Sequence, residues 1–177
     1  MTFKILGELL TFISYLVFWI SRFFKKKNNI LLWDNISRII AIIAFCFLNT
    51  YDGIKNTIYV IFRNIFGQVT NRKTKKCKII TFLLMLLVLI LMYAFQFNGI
   101  ATICLAICGI INLYGTIMCD EQGIRVFGMI GSVFYCAFMF FSHNITGTVC
   151  EMICFIVMLI SYLKYRKENN DIETVKK

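Results

Sequence analysis

The stretch WDNISRIIAIIAFCFLNTYDGIKNTIYVIFRN, from Trp33 to Asn64, decides the fold, because it carries charges where lipid tolerates few. It reads as two helices joined by a turn at Asn49-Thr50-Tyr51-Asp52-Gly53, with Asp34, Arg38 and Arg63 in otherwise apolar sequence. An arginine at the centre of a membrane helix costs about 2.5–3.5 kcal/mol on insertion scales, so such residues are paired or functional. Whether both halves cross the bilayer fixes the number of spans and the side on which every later loop falls.

Composition makes the bilayer the expected solvent. Of the 177 residues 59% are apolar and only 16% charged, and the mean hydropathy is +0.76. A soluble domain is about 45–50% apolar and about 25% charged. The net charge of +10 arises from 19 basic and 9 acidic side chains. Its clusters, Arg22 with Lys25-Lys26-Lys27 and Arg72-Lys73-x-Lys75-Lys76-x-Lys78, directly adjoin apolar segments. Cations so placed read as topology signals and as contacts to anionic headgroups, about 1 kcal/mol each near the surface. Nucleic acid is therefore not an expected partner. The first apolar stretch carries Glu8, is followed rather than preceded by its charges, and lacks a small-residue cleavage site, so it reads as a first span.

Spans of about 20 apolar residues fall near residues 5–24, 30–49, 53–69, 79–95, 99–119, 124–141 and 147–165, followed by a polar tail. The third holds Lys55, Asn56, Thr57, Arg63, Asn64 and Gln68 and would not insert convincingly alone. Sidedness argues for it. With seven spans, Arg22, Lys25 to Lys27, Arg72 to Lys78, Arg125 and the Lys164, Arg166, Lys167 end share one side; the other has Lys4, Glu8, Asp52, Lys55 and His143. The positive-inside rule then puts the N-terminus out and the C-terminus in.

Shifting the chain by 94 residues lays the first three spans on the last three without gaps. Phe3 meets Phe97, Ile13 meets Ile107, Phe47 meets Phe141, Gly53 meets Gly147, Arg72 meets Arg166 and Lys73 meets Lys167. The expected architecture is all-α: a three-helix repeat over residues 1–73, a linker helix over 74–96 and a second, parallel repeat over 97–167, with 168–177 as a cytoplasmic tail. Parallel repeats are related by an axis along the membrane normal. The fourth span, apolar on every side, suits a lipid-facing linker, and the short turn before the fifth is Gln96-Phe97-Asn98.

Helical spacing lines up the polar groups. Asp34, Arg38, Ala41, Phe45 and Asn49 share one face, with Asp34 and Arg38 able to pair at i, i+4. Asn56 and Arg63 share another, beside Asn64; Asn98, Thr102, Gly109, Asn112 and Thr116 fall in register. Counted from the span ends, Arg38, Arg63, Asn64 and Asn112 lie about 10–12 Å deep. They are the candidate solute-binding residues, since guanidinium and amide groups suit a carboxylate or phosphate. Glu151 and Asp34 are the candidate coupling or ion-pairing acids. Two readings stand: a path for a small polar or anionic solute, or polar glue in a non-transporting scaffold or partner subunit.

The eight cysteines include Cys104/Cys108 and Cys150/Cys154 at i, i+4. A thiol metal or redox site is one reading, but there is no Cys-x-x-Cys and a single histidine. Packing as small apolar residues is the other. Gly128-x-x-Gly131-Ser132 follows no strand, so it reads as close helix packing rather than a phosphate loop. No Ser/His/Asp set, His-Glu motif or close carboxylate pair points to an enzyme, and neither cofactor nor metal is expected.

Thr50-Tyr51 followed by Arg63, and Gly147-Thr148-x-x-Glu151 in the second repeat, resemble the YgjV family of bacterial inner-membrane proteins over nearly the whole chain. The resemblance implies a multi-pass protein of the cytoplasmic membrane and carries no established activity with it. The three-one-three layout is more distantly similar to SWEET and PnuC-type transporters. The chain has no proline, so the Pro-Gln turn of those relatives, and gating through it, is not implied. The expected partners are the bilayer with its anionic headgroups, a small solute and further copies of the chain.

Overall fold

A computed structural model describes residues 2–48, 51–94, 99–141 and 145–175. All the secondary structure in them is helical: α1 Thr2–Ser21, α2 Lys27–Leu48, α3 Tyr51–Thr70, α4 Lys75–Ala94, α5 Ile100–Met118, α6 Glu121–Phe141 and α7 Ile145–Val175. Lipid offers backbone groups no hydrogen-bond partners, so apolar sequence without proline satisfies them within helices. Six of the seven are long and apolar enough to cross a membrane; α3 is the exception.

Helix ends overrun or fall short of the apolar windows, because backbone hydrogen bonding does not require hydropathy. α1 stops at Ser21, where the N–H groups of Arg22, Phe23 and Phe24 turn back to carbonyls three residues earlier, at 3.1, 3.1 and 3.3 Å. α2 starts a turn before Ile30, with Asn29 and Ile30 both donating to the Lys26 carbonyl. α3 takes Asp52 and Gly53 of the expected turn into its first turn. Asn49 and Thr50 lie outside the described residues, as do Gln96, Phe97, Asn98 and His143. α7 absorbs Gly147 and continues to Val175, through most of the expected tail.

The chain forms two compact units, Met1–Thr81 and Phe82–Lys177. In the first, α1 packs along α2 and α2 along α3. Lys27, Ile30, Leu31, Asp34, Ser37, Ala41 and Ala44 form the buried stripe of α2 at helical spacing, while Leu32, Ile36, Ile39 and Ile43 face outward. The α1–α2 hairpin is clasped at both ends by stacked rings, Phe3 on Phe47 at 6.1 Å and Phe24 on Trp33 at 5.6 Å. At the Gly7 contact between the two helices, an added Cβ would stand 2.7 Å from Leu48 Cγ. The end of α3 is tied to the start of α2. Asn71 Nδ2 donates to Asn28 Oδ1 at 3.1 Å, and Gln68 Nε2 to the Asn28 carbonyl at 3.4 Å.

In the second unit α5 packs along α6 and α6 along α7. Small residues set these distances: Gly115 lies under Phe127, Gly128 under the Met158 thioether and Gly131 under the Asn112 amide. α4 buries only Met85, Leu89 and Tyr93, one residue per turn. Leu89 sits over Gly109 of α5, and the Phe82 ring meets Tyr114 edge-on at 6.0 Å. The rest of α4 presents leucine, isoleucine and valine outward, as a helix bathed in lipid would.

Candidate functional site

Asp34 is the centre of the first unit's polar interior, 1% exposed in the middle of the buried stripe of α2. Its position follows from the hairpin. Five residues connect α1 to α2, so the end of α1 lies opposite the first turns of α2, a register fixed by Phe24 on Trp33. Arg22, one residue past the end of α1, therefore faces Asp34, and its Nη2 approaches Oδ2 at 3.4 Å. One turn along α2, Arg38 Nε donates to the other oxygen, Oδ1, at 3.2 Å. From α3, Asn64 Nδ2 donates to Oδ2 at 3.0 Å. Arg63 completes the set through Asn64: its Nε and Nη2 reach Asn64 Oδ1 at 3.3 and 3.1 Å.

Three helices thus bring three guanidinium groups around one carboxylate. The Phe18 ring serves as a platform for two of them, with Arg22 at 4.1 Å and Arg38 at 5.1 Å from its centroid. Such contacts gain strength where water is scarce. Arg22, Arg63 and Asn64 are buried, whereas the Arg38 side chain is 30% exposed and is the cluster's outlet. Asp34 lies seven residues inside α2, and Arg63 seven before the end of α3, about 10 Å from those helix ends. The acids of this unit whose side chains are described are Asp34 and Glu8, and Glu8 stands exposed near the opposite end of α1.

Of the residues singled out from sequence, the structure brings Asp34, Arg38, Arg63 and Asn64 together. Asn112 and Glu151 belong to the second unit. The Asn112 amide is spent on its own helix, donating to the Cys108 carbonyl at 3.0 Å and lying 3.2 Å from its sulfur. Glu151 is buried near the start of α7, close to the Cys136 and Cys150 thiols. Cys108, Cys150 and Cys154 are buried.

One reading made from sequence needs correction. Arg22 and Lys27, taken with their neighbours as headgroup cations, are 6% and 1% exposed. Arg22 turns inward because a buried carboxylate lies within reach, whereas long cationic side chains near span ends ordinarily extend toward water. The short α1–α2 connection was the signal: a tight antiparallel hairpin sets residue 22 against residue 34. Arg125, counted from sequence on the same side as the basic clusters, is also buried, at 1%. Its Nε donates to Ser161 Oγ at 2.9 Å, its Nη1 to the Glu121 carbonyl at 3.3 Å, and its guanidinium lies 4.5 Å from the Tyr165 ring centroid, joining α6 to α7.

A family model, Imp-YgjV, described as "Bacterial inner membrane protein", matches residues 5–169. No curated protein and no solved structure matches the chain.

Proposed function

The chain belongs to the Imp-YgjV family of bacterial inner membrane proteins, and from that premise we propose that it moves a small anionic solute across the cytoplasmic membrane. Arg38, Arg63 and Asn64, with Arg22, would receive the solute, and Asp34 acts as their resident counter-ion. The observation that carries this reading is the convergence of three guanidinium groups on one carboxylate about 10 Å inside the helix ends. Interhelical polar contacts in membranes contribute only about 0.6 kcal/mol on average, a small return for two buried arginines and a third that is 30% exposed. A carboxylate or phosphate accepts the forked hydrogen bonds that guanidinium offers. In the second unit, Glu151 is the candidate for a coupled proton.

The same reading takes α3 as a seventh crossing, with the N-terminus out and the C-terminus in, in a three-one-three arrangement of parallel repeats. Equivalent contacts support the repeat. Moved by 94 residues, the Asp34–Asn64 pair between α2 and α3 becomes Gly128–Met158, which touch between α6 and α7. The site is thus proposed to be single, its counterpart filled by glycine and thioether.

The test is reconstitution. Purified protein in liposomes is offered a panel of labelled mono- and dicarboxylates and phosphate monoesters. Arg63→Met keeps the apolar stem and removes the charge. It is expected to lower affinity about ten- to hundred-fold, the loss of one charge-assisted hydrogen-bonded contact, while helical content is retained. Absence of binding and uptake for the whole panel by the unaltered protein would sink the proposal.

The second reading, a non-transporting scaffold, is favoured by one fact: both Asp34 oxygens and Asn64 Oδ1 already have protein donors. It predicts that neutralising Asp34 and Arg38 together preserves activity in cells, whereas a transporter would lose it.

A further inference from the structure

We propose that the basic end of the first unit is a docking surface for an anionic phospholipid, which staples α3 to the α1–α2 hairpin. Two connections meet at this end. Lys25 and Lys26 stand exposed between α1 and α2; Arg72, Lys73, Lys75 and Lys76 stand exposed between and at the start of α3 and α4. The side chains of Asn28, Gln68 and Asn71 hold the two connections together. No acid occurs in residues 22–33 or 53–81, so cations of both connections face the same solvent without an acidic neighbour in sequence.

A ring of cations alone would suit any polyanion. The layer beneath selects a lipid. Next to Lys25 and Lys26 in sequence, Phe24 stacks on Trp33, an aromatic pair of the kind that settles at headgroup level. Beside it Ile20, Phe23 and Leu32 are exposed apolar side chains, 54%, 40% and 52% accessible. A phosphate above and acyl chains below match that order of surfaces. The 94-residue counterpart of Lys25-Lys26-Lys27 is Cys119-Asp120-Glu121, so the second unit lacks the purely basic end. The lipid is therefore a property of the first unit. Its role follows from α3, among the described helices the one that does not qualify as a span by itself: a phosphate bridging Arg72 or Lys73 to Lys25 or Lys26 fixes the end of α3 against the hairpin.

Tryptophan fluorescence reads the site directly, because Trp19 and Trp33 are the two tryptophans of the chain. Trp19→Phe leaves Trp33 as the reporter. The full chain in zwitterionic vesicles is titrated with brominated phosphatidylglycerol or, separately, brominated phosphatidylcholine. The anionic quencher is expected to reach half-effect at about a five-fold lower mole fraction, from several cations near the surface. Replacing Lys25, Lys26, Arg72 and Lys73 by Gln should abolish that preference, and replacing Lys164 and Arg166 by Gln should leave it. If the quadruple variant fails to fold, salt decides: raising it from about 0.1 M to about 1 M shrinks the screening length from about 10 to about 3 Å and should remove the preference in Trp19→Phe. Equal quenching by both lipids, or a preference that survives salt, overturns the proposal.

Discussion

Asp34→Asn is expected to destabilise the first unit by about 3–5 kcal/mol, the range for breaking a buried ion pair by removing one partner. The substitution keeps the shape, so the loss is electrostatic. Arg22 at 3.4 Å and Arg38 at 3.2 Å lose their carboxylate, and Arg63 loses the negative charge behind Asn64. Three guanidinium groups then repel one another in a region where little water screens them. Thermal unfolding of the purified protein in detergent measures the effect. Adding Arg38→Gln to Asp34→Asn should return part of the stability, because the two sites are in contact and their effects do not add. Glu8→Gln, at an exposed acid of the same unit, should stay within about 0.5 kcal/mol. Equal melting of Asp34→Asn and the unaltered protein would mean that Asp34 is no keystone.

Gly115→Val should be a damaging small-to-large change between α5 and α6, lowering stability by about 1–3 kcal/mol as overpacking does. A Cβ at Gly115 would lie 2.6 Å from Phe127 Cβ. That atom sits next to the backbone and cannot swing away. The Phe127 ring is itself held against Tyr114 at 5.0 Å, so the helices must separate, and Thr116 and Ile117, now buried, would lose their contacts. Gly128→Ala should cost less, since the atom it meets is the Met158 sulfur, on a flexible side chain. Gly99→Ala is a third case, with open space around it but φ at 70°, so its penalty comes from the backbone. The order of melting temperatures is the check; Gly115→Val melting above Gly128→Ala would refute the packing account.

Much of this interior was legible in the sequence, for reasons that can be named. Long apolar runs set off by basic clusters marked six strong spans, and the polar residues of α3 marked the weak one. The spacing of Asp34 and Arg38 anticipated their ion pair, because i, i+4 neighbours meet within a single helix. Arg22 and Lys27 were misjudged, because a cation at the edge of an apolar run has two destinations. It can extend to the headgroups or fold inward, and the choice depends on what the neighbouring helix offers: Asp34 for Arg22, Ser161 and Tyr165 for Arg125. Pairing across 12 or 36 residues needs the packing register, which periodicity within one helix does not contain. Asn112 shows the same limit from the other side. Spacing set it in register with Thr102 and Thr116 and said nothing of its partner, which is the carbonyl one turn back.

The two aromatic clasps of the α1–α2 hairpin carry a consequence for biogenesis. A chain emerges N-terminus first, so Phe3 with Phe47 and Phe24 with Trp33 emerge ahead of Arg63 and Asn64. α3, not apolar enough to qualify as a span, follows them, and its Asn64 amide finds the Asp34 carboxylate that Arg22 and Arg38 also face. Order of synthesis and order of need coincide: the helix that most depends on a partner is made just after its partner.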